Sequence, residues 1–377
     1  YSAFLYSFND ISTVFTYIIL HNLFLPFLIH SPFFNNDFCY HSYVLYIPIS
    51  WIYGFVIWVR NMLYDKHILS STEVNIATIA VGNLAVGGTG KTPMTEYLIR
   101  LLSSTYQIAV LSRGYGRTTR GFRLADKNDT AATIGDESMQ IHCKFPNVAM
   151  AVCADRIKGV TQLQQLYPDL QCIILDDAYQ HRRLRCGYYI LLTPYSRLYV
   201  NDRMLPWGRL RDLPSQSIRA NTIVVTKCPP IMQLIDRQVV SDNLQLASYQ
   251  HLYYSSINYL PLNLSSVPLL VTGIANPMPL LEYVKQQYPS TQLLQYPDHH
   301  TFTQKDITQI INAAKQYECV VTTEKDYMRM QQTPLVELLA EKLHVIAIQT
   351  DFGSDKEAFD HEILRYVSEN KPNRTKL

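Results

Sequence analysis

The stretch VGNLAVGGTGKTPMTEYLIR, residues 81–100, decides the fold of this chain. An apolar, β-branched run leads into it, GGTGKT follows, and the residues after that carry apolar side chains at helical spacing. Strand, glycine-rich loop and helix in this order are typical of a phosphate-binding loop, whose backbone N–H groups surround phosphate oxygens. The stretch therefore predicts a nucleotide site.

The loop matches most of the pattern G-x-x-x-x-G-K-[ST], with GKT at residues 90–92. In this pattern the lysine reaches the β- and γ-phosphates, and the hydroxyl group binds Mg²⁺. Ala85 occupies the position of the first glycine, but the strand before the loop and the helix after it support the match. The predicted nucleotide-binding residues are Ala85, Val86, Gly87, Gly88, Thr89, Gly90, Lys91 and Thr92.

Short apolar runs alternate with amphipathic segments after residue 74. The runs are NIATIAVGN, QIAVLSRGY, NVAMAVCA, QCIILDDA, YYILLTP, NTIVVTK, PLLVTGIAN, ECVVTTEKD and HVIAIQT. Continuous apolar strands separated by such segments favour a parallel sheet that is covered on both faces. We expect an α/β fold with a P-loop NTPase-type parallel sheet, helices on both of its faces, and a second, smaller α/β lobe.

The pattern changes at HLYYSSINYLPLNLSS, which begins at residue 251. Its alternation and its prolines predict an antiparallel ribbon or linker between two lobes. The predicted segments are an N-terminal extension without assigned function at 1–42, a membrane anchor helix at 43–66, the P-loop core at 67–250, the inter-lobe ribbon at 251–267 and the second lobe at 268–377.

The first 66 residues contain two strongly apolar runs, ISTVFTYIILHNLFLPFLIH and YVLYIPISWIYGFVIWV. Each approaches the ~20 residues that span the hydrocarbon of a bilayer, although prolines interrupt both. Basic residues, Arg60 and Lys66, follow the second run, and aromatic residues at its edges suit a headgroup boundary. Residues 43–66 therefore predict an N-terminal membrane helix with the remaining chain cytoplasmic. The alternative is a hydrophobic helix packed on the globular domain.

Composition narrows the class of protein. The chain has 377 residues, 47% of them hydrophobic, which is enough to form a substantial core and two domains. The net charge of +2 argues against a general nucleic-acid binder. The seven cysteines include no C-x-x-C pair, so that a disulfide framework or a zinc site is not expected. A reducing compartment fits best.

Acidic and imidazole side chains follow several of the runs. QCIILDDAYQH ends a buried run with Asp176 and Asp177, and a P-loop needs such an acidic strand end to hold Mg²⁺. IGDES places Asp136 after a glycine, where a carboxylate could approach a substrate hydroxyl. YPDHHTF combines an aspartate with His299 and a second histidine, and carboxylate plus imidazole can form a base. Each of these stretches also has an ordinary reading as a polar turn.

Arginines cluster in LSRGYGRTTR, QHRRLR and LPWGRLRD. Guanidinium groups suit the bidentate recognition of phosphate. They could serve ATP, a phosphorylated substrate or anionic lipid headgroups, and surface salt bridges remain an equal alternative for each arginine.

Eight motifs occur in a fixed order: GNLAVGGTGKTP, LSRGYGR, GDES, LDDAYQHRRL, LPWGRLRD, TGIANP, PDHHTF and TTEKD. With this set the chain resembles the tetraacyldisaccharide 4'-kinase family, the lipid A kinases of Gram-negative bacteria, from about residue 44 to about residue 350. The resemblance implies transfer of the γ-phosphate of ATP, with Mg²⁺, to the 4'-hydroxyl of a lipid A disaccharide 1-phosphate. It also implies contact with inner membrane lipids at the cytoplasmic face.

The resemblance assigns roles to individual residues. Asp136 would be the general base, assisted by His299, and Lys91 would contact the transferred phosphate. The metal ligands that it implies are Thr92, Asp176, Asp177, Gln180 and Asp212. Arg113 and Tyr115 would lie towards the substrate.

Three positions depart from the family pattern, and a fourth does not. Ser138 stands where the family usually has a proline, close to Asp136. Ala178 replaces the glycine of the usual DDGFQH, and Asp212 replaces a glutamate, which shortens that carboxylate by one methylene group. Ala85 agrees with the family, whose loop commonly lacks the first glycine.

Two other enzyme classes share parts of this pattern. Membrane-associated ATPase switches of the partitioning-ATPase kind also have GGxGKT, normally preceded by a lysine where this chain has Val86. A soluble P-loop kinase or synthetase of small metabolites would not need the apolar N-terminal segment. A membrane scaffold without enzymatic activity would leave the phosphate loop unexplained.

Overall fold

The computed structural model describes residues 36–298 and 300–372, and for residues 36–45 it describes the backbone alone. His299 and the first apolar run, at 11–30, lie outside the described residues. The chain divides into two compact units. The smaller unit comprises the described part of Tyr1–Ser70 together with Leu84–Val86 and Tyr199–Ser217. The larger unit comprises the remaining described residues.

Strands and helices alternate along most of the chain. The strands are β1 (Thr72–Glu73), β2 (Ala77–Asn83), β3 (Ile108–Ser112), β4 (Arg123–Leu124), β5 (Ala149–Val152), β6 (Cys172–Asp176), β7 (Leu184–Arg185), β8 (Tyr188–Pro194), β9 (Thr222–Thr226), β10 (His251–Tyr254), β11 (Ser256–Tyr259), β12 (Pro268–Thr272), β13 (Gln292–Gln295), β14 (Cys319–Thr323), β15 (Leu343–Ile346) and β16 (Ile348–Asp351). The helices are α1 (Asn36–Asp65), α2 (Lys91–Leu102), α3 (Ala131–Ile134), α4 (Asp136–Lys144), α5 (Arg156–Leu166), α6 (Leu234–Leu244), α7 (Met278–Gln287), α8 (Gln304–Ala314), α9 (Glu324–Met330), α10 (Leu335–Leu339) and α11 (Lys356–Asn370).

The larger unit contains an eight-stranded sheet in the order β10-β9-β8-β2-β6-β3-β5-β4. Its strands pair in parallel except for β4, which is antiparallel to β5. Each of the nine apolar runs of the sequence contains a strand, which confirms the predicted parallel α/β sheet. Crossover helices are needed because parallel neighbours cannot be joined by a tight turn.

Helices cover both faces of this sheet, as the sequence predicts. Successive side chains of a strand point to opposite faces. Ile79 of β2 packs in one apolar cluster with Leu98 of α2 and Phe359 of α11. Ala80, the next residue, packs in a second cluster with Leu163 of α5. The central strand is therefore buried on both sides, which explains its continuous apolar sequence.

A four-stranded parallel sheet, ordered β13-β12-β14-β15, consists of strands that lie within residues 268–346. It too is covered on both faces, because Leu269 and Leu270 of β12 belong to different apolar clusters. Ile310 of α8 lies in the first of these clusters and Val284 of α7 in the second.

The segment at 251–267 has two kinds of pairing. β10 joins the large sheet as a parallel edge strand beside β9, whereas β11 pairs antiparallel with β16. The division of the chain into a P-loop core, a ribbon and a second lobe stays a prediction.

The smaller unit consists of α1 and two short segments that pack on it. Tyr53 and Ile57 of α1 form an apolar cluster with Leu205. The Ser50 hydroxyl donates to the carbonyl oxygen of Met204 (2.9 Å), which ties the helix to the LPWGRLRD segment.

The expectation that residues 43–66 span a bilayer is not supported. In the part of the chain that the structure describes, no helix combines the length and the apolar character that crossing a membrane requires. Polar Ser50 interrupts the apolar run of α1 and Asn61 follows it, and both residues are buried.

Gly82 of β2 provides a stability test, because Tyr179 lies against it. A Cβ at position 82 would lie 2.6 Å from the Cβ of Tyr179 and 3.0 Å from its backbone nitrogen. We expect Gly82→Ala to lower the free energy of unfolding by about 1–3 kcal/mol, measured by denaturant unfolding followed by circular dichroism. Gly54→Ala in α1 is the matched control, since its Cβ would meet the nearest side-chain atom at an ordinary 3.6 Å. A Gly82→Ala protein as stable as the control would contradict this close approach.

Candidate active site

The phosphate-binding pattern lies at the carboxyl end of the central strand. β2 is fully buried and ends at Asn83, and α2 begins at Lys91. Gly87 (φ 103°) and Gly90 (φ 91°) both have left-handed backbone conformations that side chains disfavour. The loop therefore turns back onto the first turn of α2, where unpaired N–H groups form an anion site.

Three side chains brace this loop. Asn83 Nδ2 donates to Thr89 Oγ1 (2.7 Å), and Thr226 Oγ1 donates to the carbonyl oxygen of Thr89 (2.8 Å). Lys227 Nζ donates to the carbonyl oxygen of Gly88 (2.6 Å). Thr226 and Lys227 were not predicted as site residues, although NTIVVTK ends on them at the same edge of the sheet.

Asp176 ends β6 next to this loop and is buried. Its carboxylate accepts hydrogen bonds from Thr95 Oγ1 (3.2 Å) and Ser112 Oγ (3.4 Å). Burial raises its pKa to about 7, and the negative charges of Glu137 and Asp177 add to the rise. Because its negative charge is disfavoured by burial and by neighbouring negative charges, the Asp176 carboxylate is suited to bind a metal ion or a proton.

Asp177 adopts a left-handed conformation (φ 46°), and its Oδ1 lies 3.8 Å from Lys91 Nζ. The residue with positive φ in this turn is thus Asp177 and not Ala178. An alanine in place of the family's glycine is tolerated for that reason. Gln180, two residues further, donates from Nε2 to the carbonyl oxygen of Asn83 (2.6 Å), which joins this turn to the start of the loop.

Arg156 supports the same turn from within the core, and sequence reasoning missed it. Its guanidinium donates to the carbonyl oxygens of Cys153 (2.5 Å) and Asp176 (3.2 Å). Burial lowers its pKa to about 10. The arginine lies in CADRIKG, a stretch that carries no pattern pointing to a site.

Asp136 begins α4, directly after Gly135. Gly135 has φ 91°, and a Cβ there would lie 2.8 Å from the carbonyl oxygen of Tyr115. The GDES and LSRGYGR motifs are therefore packed against each other. Arg113 and Tyr115 are both exposed, Tyr115 by 73%.

Asp136 forms an ion pair that the sequence did not predict. Arg329 of α9 donates from Nε to Asp136 Oδ2 (2.7 Å) and from Nη1 to Asp326 Oδ1 (3.1 Å). Asp326 is the aspartate of TTEKD, so that this motif reaches GDES through Arg329. The arginine lies three residues beyond the motif, which is why the motif alone did not reveal it.

The PDHHTF motif packs on the same part of the larger unit. A Cβ on Gly273 would lie 3.5 Å from His300 Cβ, and the N–H of Gly273 donates to Asp326 Oδ2 (3.0 Å). Asp298 pairs with Lys325 of α9 (3.3 Å). His299 lies outside the described residues, and its predicted assistance to Asp136 stays a prediction.

Asp212 belongs to the smaller unit. It is buried, and its Oδ1 accepts hydrogen bonds from Asn61 Nδ2 (2.8 Å) and from the backbone N–H of Leu213 (2.9 Å). These contacts hold the LPWGRLRD segment to α1. Its predicted role as a metal ligand stays a prediction.

The larger unit thus brings a glycine loop, a lysine, two strand-end carboxylates and a further carboxylate on α4 to one region. Among the described residues, no group of three or more histidine, cysteine, aspartate or glutamate side chains is arranged to hold a metal ion. Mg²⁺ needs fewer protein side chains than this, since it is usually bound by one or two carboxylates together with water and substrate phosphates. Hard oxygen donors beside a phosphate loop suit phosphoryl transfer.

Comparison with known proteins agrees with this chemistry. A profile of the family described as tetraacyldisaccharide-1-P 4'-kinase matches residues 42–368. The tetraacyldisaccharide 4'-kinase of Flavobacterium johnsoniae is 44% identical over 336 residues, covering 86% of this chain and 96% of that protein. That of Bacteroides thetaiotaomicron is 41% identical over 355 residues, covering 86% and 93%. The "apo" form of LpxK from Aquifex aeolicus in complex with ATP shares the fold, with a TM-score of 0.66, 24% identity, and coverage of 85% of this chain and 98% of that one.

Lys91→Ala tests the loop. We expect it to weaken the binding of a nucleoside triphosphate by about 10- to 100-fold, because a charge-assisted contact with phosphate is lost. Titration with a fluorescent ATP analogue measures this change. Lys285→Ala, on the exposed surface of α7, is the matched control and should bind normally. Near-normal binding by Lys91→Ala would mean that the loop does not hold the phosphates.

Proposed function

The chain belongs to the tetraacyldisaccharide-1-P 4'-kinase family, and we propose that it transfers the γ-phosphate of ATP to the 4'-hydroxyl of tetraacyldisaccharide 1-phosphate, a precursor of lipid A. The observation that carries the proposal is the convergence of three motifs in the larger unit. Lys91 lies 3.8 Å from Asp177. Gln140 of α4, the helix that GDES begins, donates to Glu96 of α2, the helix that begins at Lys91 (2.8 Å). Separate stretches of sequence thus meet beside the phosphate loop.

In this proposal the loop and its lysine handle the phosphates. The loop amides and Lys91 bind the β- and γ-phosphates and stabilise the charge that spreads over the transferred group. Thr92, Asp176, Asp177 and Gln180, all in the larger unit, are the proposed ligands of Mg²⁺. When bound, the ion neutralises negative charge on the phosphate oxygens.

The proposed base is Asp136, with assistance from His299. Asp136 takes the proton from the 4'-hydroxyl as the oxygen attacks the phosphorus, a contribution worth about 10²- to 10⁴-fold in rate. Asp136 lies in the first turn of α4, directly after Gly135. The backbone conformation of Gly135 (φ 91°) sets the direction in which the helix begins. Arg113 and Tyr115 are exposed beside this turn, which supports their proposed contact with the substrate.

We further propose that the enzyme works on the cytoplasmic face of the inner membrane, with α1 lying at the interface. The exposed side of α1 carries Trp51 (70% exposed), Phe55 (62%) and Trp58 (50%), with Ile52 beside them. Large aromatic and aliphatic side chains on one exposed side of a helix can bind at the boundary between headgroups and acyl chains. A tetraacylated substrate stays in that layer, so the kinase must reach it there.

A switch of the partitioning-ATPase kind is the alternative. Its loop normally has a lysine where this chain has Val86, and it provides no reason for an aspartate held at the start of α4.

Transfer of radiolabelled phosphate from ATP to tetraacyldisaccharide 1-phosphate tests the reaction. The parent protein should form labelled product, and Asp136→Ala should lose about 10²- to 10⁴-fold of the rate because the base is gone. Asp169→Ala, an exposed aspartate before β6, is the control and should keep the parental rate. ATP hydrolysis without transfer, stimulated by self-association, would support the switch instead.

A triple substitution of Trp51, Phe55 and Trp58 to serine tests the interfacial role of α1. We expect partitioning onto phospholipid vesicles to fall on the order of 100-fold, because three large apolar side chains no longer leave water. Co-sedimentation with the vesicles measures it.

The control carries three serines at other exposed apolar positions: Leu234 and Ile235 in the first turn of α6, and Ile231 just before that helix. It should partition like the parent protein. Equal losses in both variants would show that α1 has no particular role in membrane binding.

A further inference from the structure

Arg329 connects two aspartates from distant parts of the sequence. It is 7% exposed and lies on α9, which follows β14 of the smaller sheet. Its Nε donates to Asp136 and its Nη1 to Asp326, and the carbonyl oxygen of Gly273 lies 3.5 Å from Nη1. The guanidinium is planar and rigid, so that contacts on one side fix the direction of the other.

Asp326, the second aspartate that Arg329 contacts, is held in place by several hydrogen bonds. Asp326 is fully buried and accepts hydrogen bonds from Thr272 Oγ1 (2.8 Å), the N–H of Gly273 (3.0 Å) and Thr323 Oγ1 (2.7 Å). A buried carboxylate with this many donors has little freedom to move. Arg329 is therefore anchored to the end of β12 and cannot follow Asp136 if that side chain turns away.

A second set of ion pairs holds the other end of α4. Lys144 Nζ lies 2.6 Å from Glu324 Oε1, at the start of α9, and 2.8 Å from Glu96 Oε2 of α2. Gln140 Nε2 also donates to Glu96 (2.8 Å). The helix that carries Asp136 is thus tied at its first and last residues to α9, and also to the helix that begins at Lys91.

We propose that Arg329 is a positioning residue that aims the Asp136 carboxylate at the acceptor hydroxyl. The inference rests on the proposed function, in which Asp136 is the base. Arg329 fixes Oδ2 and hence the orientation of the carboxylate, while the Lys144 contacts fix the distance of α4 from the phosphate loop. The end of β12 and α9 thereby act on the proposed chemistry through Arg329.

A double-mutant cycle tests this role, with kcat and KM measured for the parent, Arg329→Gln, Asp136→Asn and the double variant. Arg329→Gln should lower kcat about 10²-fold, the usual order of loss when a reacting group is misplaced by about 1 Å. KM for ATP should stay within about 2-fold of the parent. In the Asp136→Asn background the same change should alter kcat by no more than about 2-fold, because the group that it orients is already disabled.

Losses that multiply in the double variant would overturn the proposal, since a purely structural arginine acts independently of Asp136. If Asp136→Asn alone kept the parental rate, the proposed base would be wrong, and the role of Arg329 would fall with it. Arg185→Gln is the matched control: Arg185 forms an exposed ion pair with Glu73 (3.0 Å), and its loss should leave kcat unchanged in both backgrounds. Should Arg329→Gln not fold, Arg329→Lys keeps a positive charge beside Asp326 and enters the same cycle under the same criterion.

Discussion

The parallel pairing of β2 with β6 is the constraint on which the site depends. Val81 is in register with Asp176, so both strands end at nearly the same height on the sheet. Because the strands are parallel, the loop that follows one and the acidic turn that follows the other emerge at the same edge. Gly82 allows Tyr179 to lie against β2, which draws the acidic turn close to the loop.

The four-stranded sheet also contributes to this arrangement, through the helix that follows one of its strands. Its β14 leads into α9, whose two ends pair with the two ends of α4 through Glu324 and Arg329. The charges also suit the helix dipoles, because Asp136 lies at the amino end of α4 and Lys144 at its carboxyl end. The short helix α9, which follows a strand of the four-stranded sheet, thereby sets the place of the Asp136 carboxylate.

The sequence was most informative where several local signals agreed. GGTGKT follows a buried strand and precedes a helix, and each of these features has a short-range cause that can be read directly. Arg329 and Arg156 were missed because their importance lies in contacts made across long separations in the chain. The residues around Arg329, just beyond TTEKD, and around Arg156, in CADRIKG, form no local pattern that predicts these contacts.

The expectation for the N-terminal segment failed for a different reason. The apolar content of α1 was taken as a measure of its contact with lipid, but Tyr53 and Ile57 face Leu205 within the smaller unit. The helix has buried apolar residues on one side and exposed ones, such as Trp51 and Phe55, on another. Its composition then resembles that of a spanning helix although polar residues interrupt it.

The position of α11 has a consequence for how the chain acquires its structure. Phe359, Ile363 and Val367 cover one face of the large sheet, and the Tyr366 hydroxyl donates to the carbonyl oxygen of Thr78 (3.1 Å) on its central strand. The two residues are 288 positions apart in the chain, so the ribosome must synthesise nearly the whole protein before they can meet. During synthesis the part of the sheet that α11 covers therefore stays without this helix until the last residues of the described chain are made.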